Sequence, residues 1–198
     1  MDVRSSSARE SHRALLRETM IRAARDLTVE RDWDGVRMAD VAARAGVSRQ
    51  TLYNEFGGRA GLAEALAVSE VQHFAQRVRS ALFAHGGDAR AGCYAGILLT
   101  LEDATRNPLV RGLMTSGHGG LLPYLTIRSD IVLTTAGAVL TEWAGVHLPT
   151  VPPATVALAA DSVIRLTVSH IMMPTDTPAA TAAALAEVFV RLLGLGPA

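Results

Sequence analysis

The chain has 198 residues, enough to bury a sizeable core as one compact unit or as a small domain joined to a larger one. Its 49% apolar content is mostly aliphatic residues and alanine, without long alternating β-branched runs, which argues against a β-rich fold and for an all-α protein. The formal charge is zero but unevenly spread: residues 1–60 hold eleven arginines against nine carboxylates, and the remainder eight against ten.

That asymmetry favours the first third as a nucleic-acid-facing segment, because phosphate binding is largely electrostatic. All 19 basic residues are arginine, a usage that suits forked contacts to phosphate and that GC-rich coding explains more simply. A single cysteine, Cys93, rules out an internal disulfide framework and a cysteine-based metal site, and fits a reducing cytoplasm. No apolar run reaches the roughly 18 residues needed to cross a bilayer, and the first residues lack the apolar core of a secretion signal. A soluble, cytoplasmic protein with no membrane partner is expected.

Residues 1–13 read as a flexible polar arm. A first helix follows over "RALLRETMIRAARDLTVERD", with Leu15, Leu16, Thr19, Ile21, Ala23 and Leu27 as its apolar stripe and Gly35 in the turn that closes it. Met38 to Ala45 and Ser48 to Phe56 form two short helices, with Gly46 where a left-handed backbone is needed. A long fourth helix bears Leu62, Leu66, Val71, Phe74, Val78 and Leu82 on or near one face. Residues 89–106 form a fifth, stopped by the proline of "NP". A short piece at 109–114 precedes the glycine-rich "SGHGG". The remaining helices span about Leu121 to Trp143, Pro152 or Pro153 to Met173, and Ala179 to Leu193, for about nine in all.

In "MADVAARAGVSRQTLYNEF", Val41, Ala42 and Ala45 can face inward from one short helix while Val47, Leu52 and Phe56 supply the facing contacts. Ser48 is placed to cap the second short helix. Its exposed positions are Arg49, Gln50, Thr51, Tyr53 and Asn54, residue types that hydrogen-bond to base edges and phosphates. A helical hairpin with a merely solvated polar face explains this pattern equally well. The spaced groups Asp40-Val41-Ala42, Ala45-Gly46-Val47-Ser48, Thr51-Leu52-Tyr53 and Phe56 to Arg59 resemble the D-I-A, A-G-V-S, T-L-Y and F-x-x-K signature of the TetR/AcrR family of bacterial transcriptional regulators.

The resemblance implies a helix-turn-helix DNA-binding domain at residues 14–74, with its motif at 37–56, and an effector-binding and dimerisation domain at 75–198. Carried over, it makes Arg49, Gln50, Thr51 and Asn54 candidates for base contacts, and Ser48, Tyr53 and Arg59 candidates for phosphate contacts, Arg59 standing where the family has lysine. Two positions depart from the family. Arg37 stands where a hydroxyl cap is usual, though it can reach the DNA backbone, and Glu55 replaces a residue compatible with phosphate, so its carboxylate is expected to turn away. Arg4, Arg9 and Arg13 of the arm read as attraction to DNA or as solvated charge.

Family membership further implies a homodimer, a DNA operator of near-palindromic sequence and a small-molecule effector that releases a repressor. Val156, Ala160, Val163, Thr167 and Ile171, followed by Leu185, Val188 and Leu192, give stripes on the last two helices that suit a dimer interface; packing within one chain explains them about as well. Pocket candidates are Phe74, Val78, Tyr94, Leu98, Leu113, Ile127, Ile131, Trp143, Ile164 and Val168, whose scarcity of charge favours a neutral or acyl-chain ligand. Histidines 73, 85, 118, 147 and 170 lack metal-ligand spacing, and paired catalytic carboxylates, a nucleophile elbow and a phosphate loop are missing from the sequence. A regulator without cofactor, metal or enzymatic activity is expected; the competing reading is a helical lipid-binding protein whose head has stopped reading DNA.

Overall fold

A computed structural model describes residues 3–106 and 129–195. Within them lie eight α-helices: α1 (Val3–Arg31), α2 (Met38–Ala45), α3 (Arg49–Phe56), α4 (Arg59–Phe83), α5 (Ala89–Arg106), α6 (Ser129–His147), α7 (Pro153–Met172) and α8 (Pro178–Leu192). The all-α reading holds. The short piece expected at 109–114, the "SGHGG" break and the first residues of the helix expected from Leu121 lie outside the described residues.

Two compact units divide the chain within α4, after Glu70. In the first, α1 packs against α2 and against a 3-10 turn, Trp33–Gly35, and α2 packs against α3. The buried side of α1 is Met20, Ala23, Ala24 and Leu27. Leu15 and Thr19, expected on that stripe, are exposed, as they lie in the N-terminal half of α1 before the buried run that begins at Met20. The polar arm differs too: from Val3 on it is helical and continuous with α1. No glycine or proline interrupts it, and Ala8, Arg9 and Glu10 are good helix formers.

Helix α2 ends in a Schellman motif. Gly46, at φ 68°, donates its N–H to Ala43 O at 3.2 Å, and Val47 N–H reaches Ala42 O at 2.9 Å. The turn thereby spends carbonyls that would otherwise be orphaned and reverses the chain in two residues. At the other end of α3, Gly57 takes the left-handed conformation at φ 70° and closes the helix on Tyr53 O at 2.7 Å. Gly61 then brings α4 so near that a Cβ there would overlap the Phe56 carbonyl oxygen.

In the second unit α5 packs on α8 and α7, and α7 packs on both α6 and α8. Trp143 and Phe189, both fully buried, sit in this core with Leu82, Ile97, Val163 and Leu185. The indole N–H of Trp143 donates to Gly86 O at 2.9 Å, so its polar atom has a partner despite burial. Thr177 caps α8 by accepting from Ala180 N–H at 3.2 Å, ahead of Pro178 in the first turn.

Most of the stripes read as a dimer surface on the last two helices face this core, with Ile171 and Val188 half-buried. Val156, Ala160, Val163 and Thr167 of α7, and Leu185 of α8, are buried within the one chain. Outward apolar residues on α7 are different ones, Leu158, Leu166 and Met172, whereas on α8 Leu192 of the expected stripe is exposed. Periodicity reports that a face is covered, not by which neighbour. By length and composition alone α7 is also apolar enough to cross a bilayer, but it carries Asp161 and Arg165 paired at 2.8 Å and gives its buried face to the core.

Candidate nucleic-acid interface

Helix α3 is only two turns long, and three features fix it. Ser48, in extended conformation, accepts through Oγ from Thr51 N–H at 3.0 Å, satisfying one of the orphan donors of the first turn. Leu52 and Phe56 bury the inner side. The left-handed glycines Gly46 and Gly57 flank it on both sides. What remains outward is Arg49, Gln50, Tyr53 and Asn54, all exposed, with Thr51 half-buried because its hydroxyl lies 2.8 Å from Ser48 Oγ. Tyr53 keeps 46% of its surface exposed, unusual for a large aromatic side chain with an apolar ring. Gln50 donates to Asn54 Oδ1 at 2.8 Å, an i, i+4 pair that holds both amides on the outer face.

The two departures resolve differently. Arg37 is the N-cap residue of α2, exposed and making no side-chain cap bond, as its lack of an acceptor requires. Backbone bonds from Asp40 N–H and Val41 N–H to Arg37 O start the helix, while Asp40 supplies negative charge to its first turn. Glu55 is turned away from the outer face, with its side chain 14% exposed. Its Oε2 accepts from Arg13 Nε and Nη2 at 3.2 and 3.1 Å, and its Oε1 lies 3.1 Å from Arg17 Nε. The Arg17 guanidinium also lies over the Phe56 ring, 5.2 Å from its centroid.

Arg59 has partners inside the head. Its Nη2 donates to Trp33 O at 2.6 Å, its guanidinium stacks 5.1 Å from the Trp33 ring centroid, and Asp34 lies 3.7 Å away. It therefore ties the start of α4 to the turn after α1. Two further arginines fasten α1 to α2: Arg31 to Asp40 at 2.9 Å, and Arg44 to Glu30 at 2.8 and 3.0 Å. The Arg44 contact holds the Glu30 carboxyl below its ordinary value and raises the guanidinium. Sequence reading missed Arg17, whose signal was its position one turn after Arg13 on the same face of α1.

The described pocket candidates differ in burial. Trp143 is wholly core. Tyr94, Leu98 and Ile164 are half-buried against the same core, Phe74 and Val78 are half-buried on α4, and Val168 is exposed. Leu113, Ile127 and the side chain of Ile131 lie outside the described residues. An open surface depression between α4 and α5 is lined by Gln76, Arg77, Ser80, Ala81 and Leu99, and includes none of the candidates.

Residues 20–66 match the family model described as bacterial regulatory proteins, tetR family, and residues 88–191 match the bacterial tetracyclin repressor C-terminal domain. The HTH-type transcriptional regulator AlkX of Mycobacterium tuberculosis is 33% identical over 180 residues, covering 90% of this chain and 85% of its own. Among solved structures, the TetR family repressor AlkX of a Dietzia species, implicated in biodegradation of n-alkanes, superposes with a TM-score of 0.74 at 34% identity, over 89% of this chain and 96% of that one. RolR in complex with resorcinol shares the fold with a TM-score of 0.62 at 20% identity, over 94% and 91%. The matched models cover the capped helix pair and the helical unit that follows it in the chain, and the chain belongs to the TetR family of bacterial transcriptional regulators.

Proposed function

We propose that the protein is a dimeric repressor that reads a near-palindromic operator with α3 and is released by an apolar effector. The observation that carries the DNA half is the outer face of α3, where Arg49, Gln50, Tyr53 and Asn54 stand exposed on a helix fixed by the Ser48 cap, the Gly46 turn and the buried Leu52 and Phe56. In this reading Arg49, Gln50, Thr51 and Asn54 contact base edges, and Ser48, Tyr53, Arg37 and Arg59 contact phosphates. Arg59 does so with the part of its guanidinium not spent on Trp33. A two-fold dimer sets the two α3 helices about one DNA turn apart, roughly 34 Å. The outward residues Leu158, Leu166, Met172 and Leu192 of α7 and α8 supply apolar surface for that dimer. As a regulator of DNA it works in the bacterial cytoplasm.

For the effector, the AlkX relatives support a lipid or acyl-chain class, since one of them is implicated in n-alkane biodegradation. An apolar ligand releases DNA only by binding a DNA-incompetent conformation more tightly, and DNA opposes the ligand by the same coupling energy. Helix α4 contributes residues to both compact units, which makes it the element through which the two equilibria are linked. The competing reading, a lipid-binding protein whose head does not read DNA, is favoured by the two departures from the family at Arg37 and Glu55. The inward pairing of Glu55 removes half of that support.

A mobility-shift assay on the DNA upstream of the protein's own gene tests the reading. Tyr53→Ala is expected to weaken binding to all duplexes alike. Gln50→Ala or Asn54→Ala should instead relax preference at one base pair by about 1–3 kcal/mol. The reverse pattern would overturn the assignment of roles, and no sequence-dependent shift would overturn the function.

A further inference from the structure

Glu55 is the most unexpected residue in the head: a carboxylate on the helix that approaches a polyanion. The family signature gives it no task, and left alone it would repel phosphate. Both its oxygens are nevertheless engaged by two arginines of α1, Arg13 and Arg17, the first of them 42 residues earlier in the chain. Arg13 uses Nε and Nη2 on one oxygen, and Arg17 uses Nε on the other. Nη1 of Arg13 and both terminal nitrogens of Arg17 are not used in these contacts. Their side chains keep 75% and 45% of their surface exposed, whereas Glu55 keeps 14%. The carboxylate is thus screened beneath two outward cations, and the group of three has a net charge of +1.

We propose that Glu55 is a positioning residue that holds Arg13 and Arg17 as a phosphate clamp on the flank of α3. The proposal rests on the DNA-reading function above and names a contact which that reading does not contain. Three facts favour it over simple neutralisation. The arginines are one helical turn apart on α1, so one carboxylate fixes both in register. Each contact engages the Nε edge, which leaves guanidinium terminal nitrogens for a second, forked acceptor such as phosphate. Arg17 is further restrained over the Phe56 ring, the residue that anchors the end of α3 in the core. A flexible arginine loses rotamer freedom when it closes on DNA, and these two have lost much of it beforehand.

The sign of one substitution separates the alternatives. Glu55→Gln removes a negative charge from the helix that meets DNA, so a carboxylate that merely repels would give tighter binding at every salt concentration. If Glu55 positions the arginines, binding weakens although the head has become more positive. The probe is a duplex enriched from a random pool by the wild-type chain, followed by fluorescence anisotropy between about 50 and 200 mM salt. The expected results are a loss of about threefold to tenfold for Glu55→Gln and a salt slope shallower by about 0.9 for Arg13→Ala, the value for one lost phosphate contact. Glu55→Gln should shift its slope in the same direction as Arg13→Ala. Far-UV circular dichroism confirms that each variant folds, and Arg13→Ala, on an exposed side chain, decides the matter if Glu55→Gln does not. Tighter binding by Glu55→Gln, or an unchanged slope for Arg13→Ala, overturns the clamp alone. A wild-type chain that enriches no sequence overturns the DNA-reading function and the clamp with it.

Discussion

Replacing Ser48 tests whether the cap of α3 and its contact with DNA are separable. In Ser48→Ala the acceptor of the 3.0 Å bond from Thr51 N–H is lost, along with the hydroxyl partner of Thr51. The site is exposed, so water replaces the bond in part, and the cost should be near the middle of the range for N-caps, about 1 kcal/mol. For a chain of this size that lowers Tm by about 2–4 °C. Ser48→Asp restores the acceptor, because aspartate caps as well as serine, and adds a negative charge favourable to the helix N-terminus. In the proposed DNA-bound state the same charge faces phosphate. Thermal melts and anisotropy titrations on the two variants should therefore diverge: Ser48→Asp melts with the wild type yet binds DNA more weakly than Ser48→Ala. If Ser48→Asp melts as low as Ser48→Ala, the side-chain cap is not what holds α3. If it binds DNA like the wild type, Ser48 does not lie beside a phosphate.

Two further outcomes follow from the second unit. Trp143→Phe empties part of a fully buried site and leaves Gly86 O without its donor, so it should destabilise by about 2–4 kcal/mol in denaturant unfolding; unchanged stability with an altered response to an acyl-chain effector would restore Trp143 to a ligand cavity. Burial pushes the Cys93 thiol up to about 12, which at pH 8 leaves about one thiolate in ten thousand. Alkylation of the folded protein at that pH should proceed only at the rate of unfolding, and fast stoichiometric labelling would refute its place in the core.

Helix α5 was legible to the residue because its ends are written in the chain, "HGGD" before it and "NP" after it. Helix α3 was legible at its start, from the Gly46 turn and the Ser48 cap. The start of α1 was not, since a run of polar helix formers has no mark that separates helix from arm. Nor could sequence say that the stripe Val156, Ala160, Val163 and Thr167 is covered by this chain's own α6 and α8. In the head, the outer face of α3 followed from the phase of Leu52 and Phe56, but the partners of Glu55 and Arg59 did not. Arg13 and Trp33 meet them across long stretches of chain, and such meetings are set by tertiary packing alone.

The glycine at 61 sets the tolerance of the whole reading head. Where two helices meet through side chains, a small rotation of one is absorbed by rotamer changes in the layer between them. At the junction of α3 and α4 there is no such layer, because the α4 backbone lies directly against the Phe56 carbonyl oxygen. Any displacement of the first turn of α4 is passed to the end of the recognition helix without slack, as through a gear with no backlash. Alanine at 61 would add a spacer to that gear, changing the angle at which α3 is presented while every side chain on its outer face stayed the same.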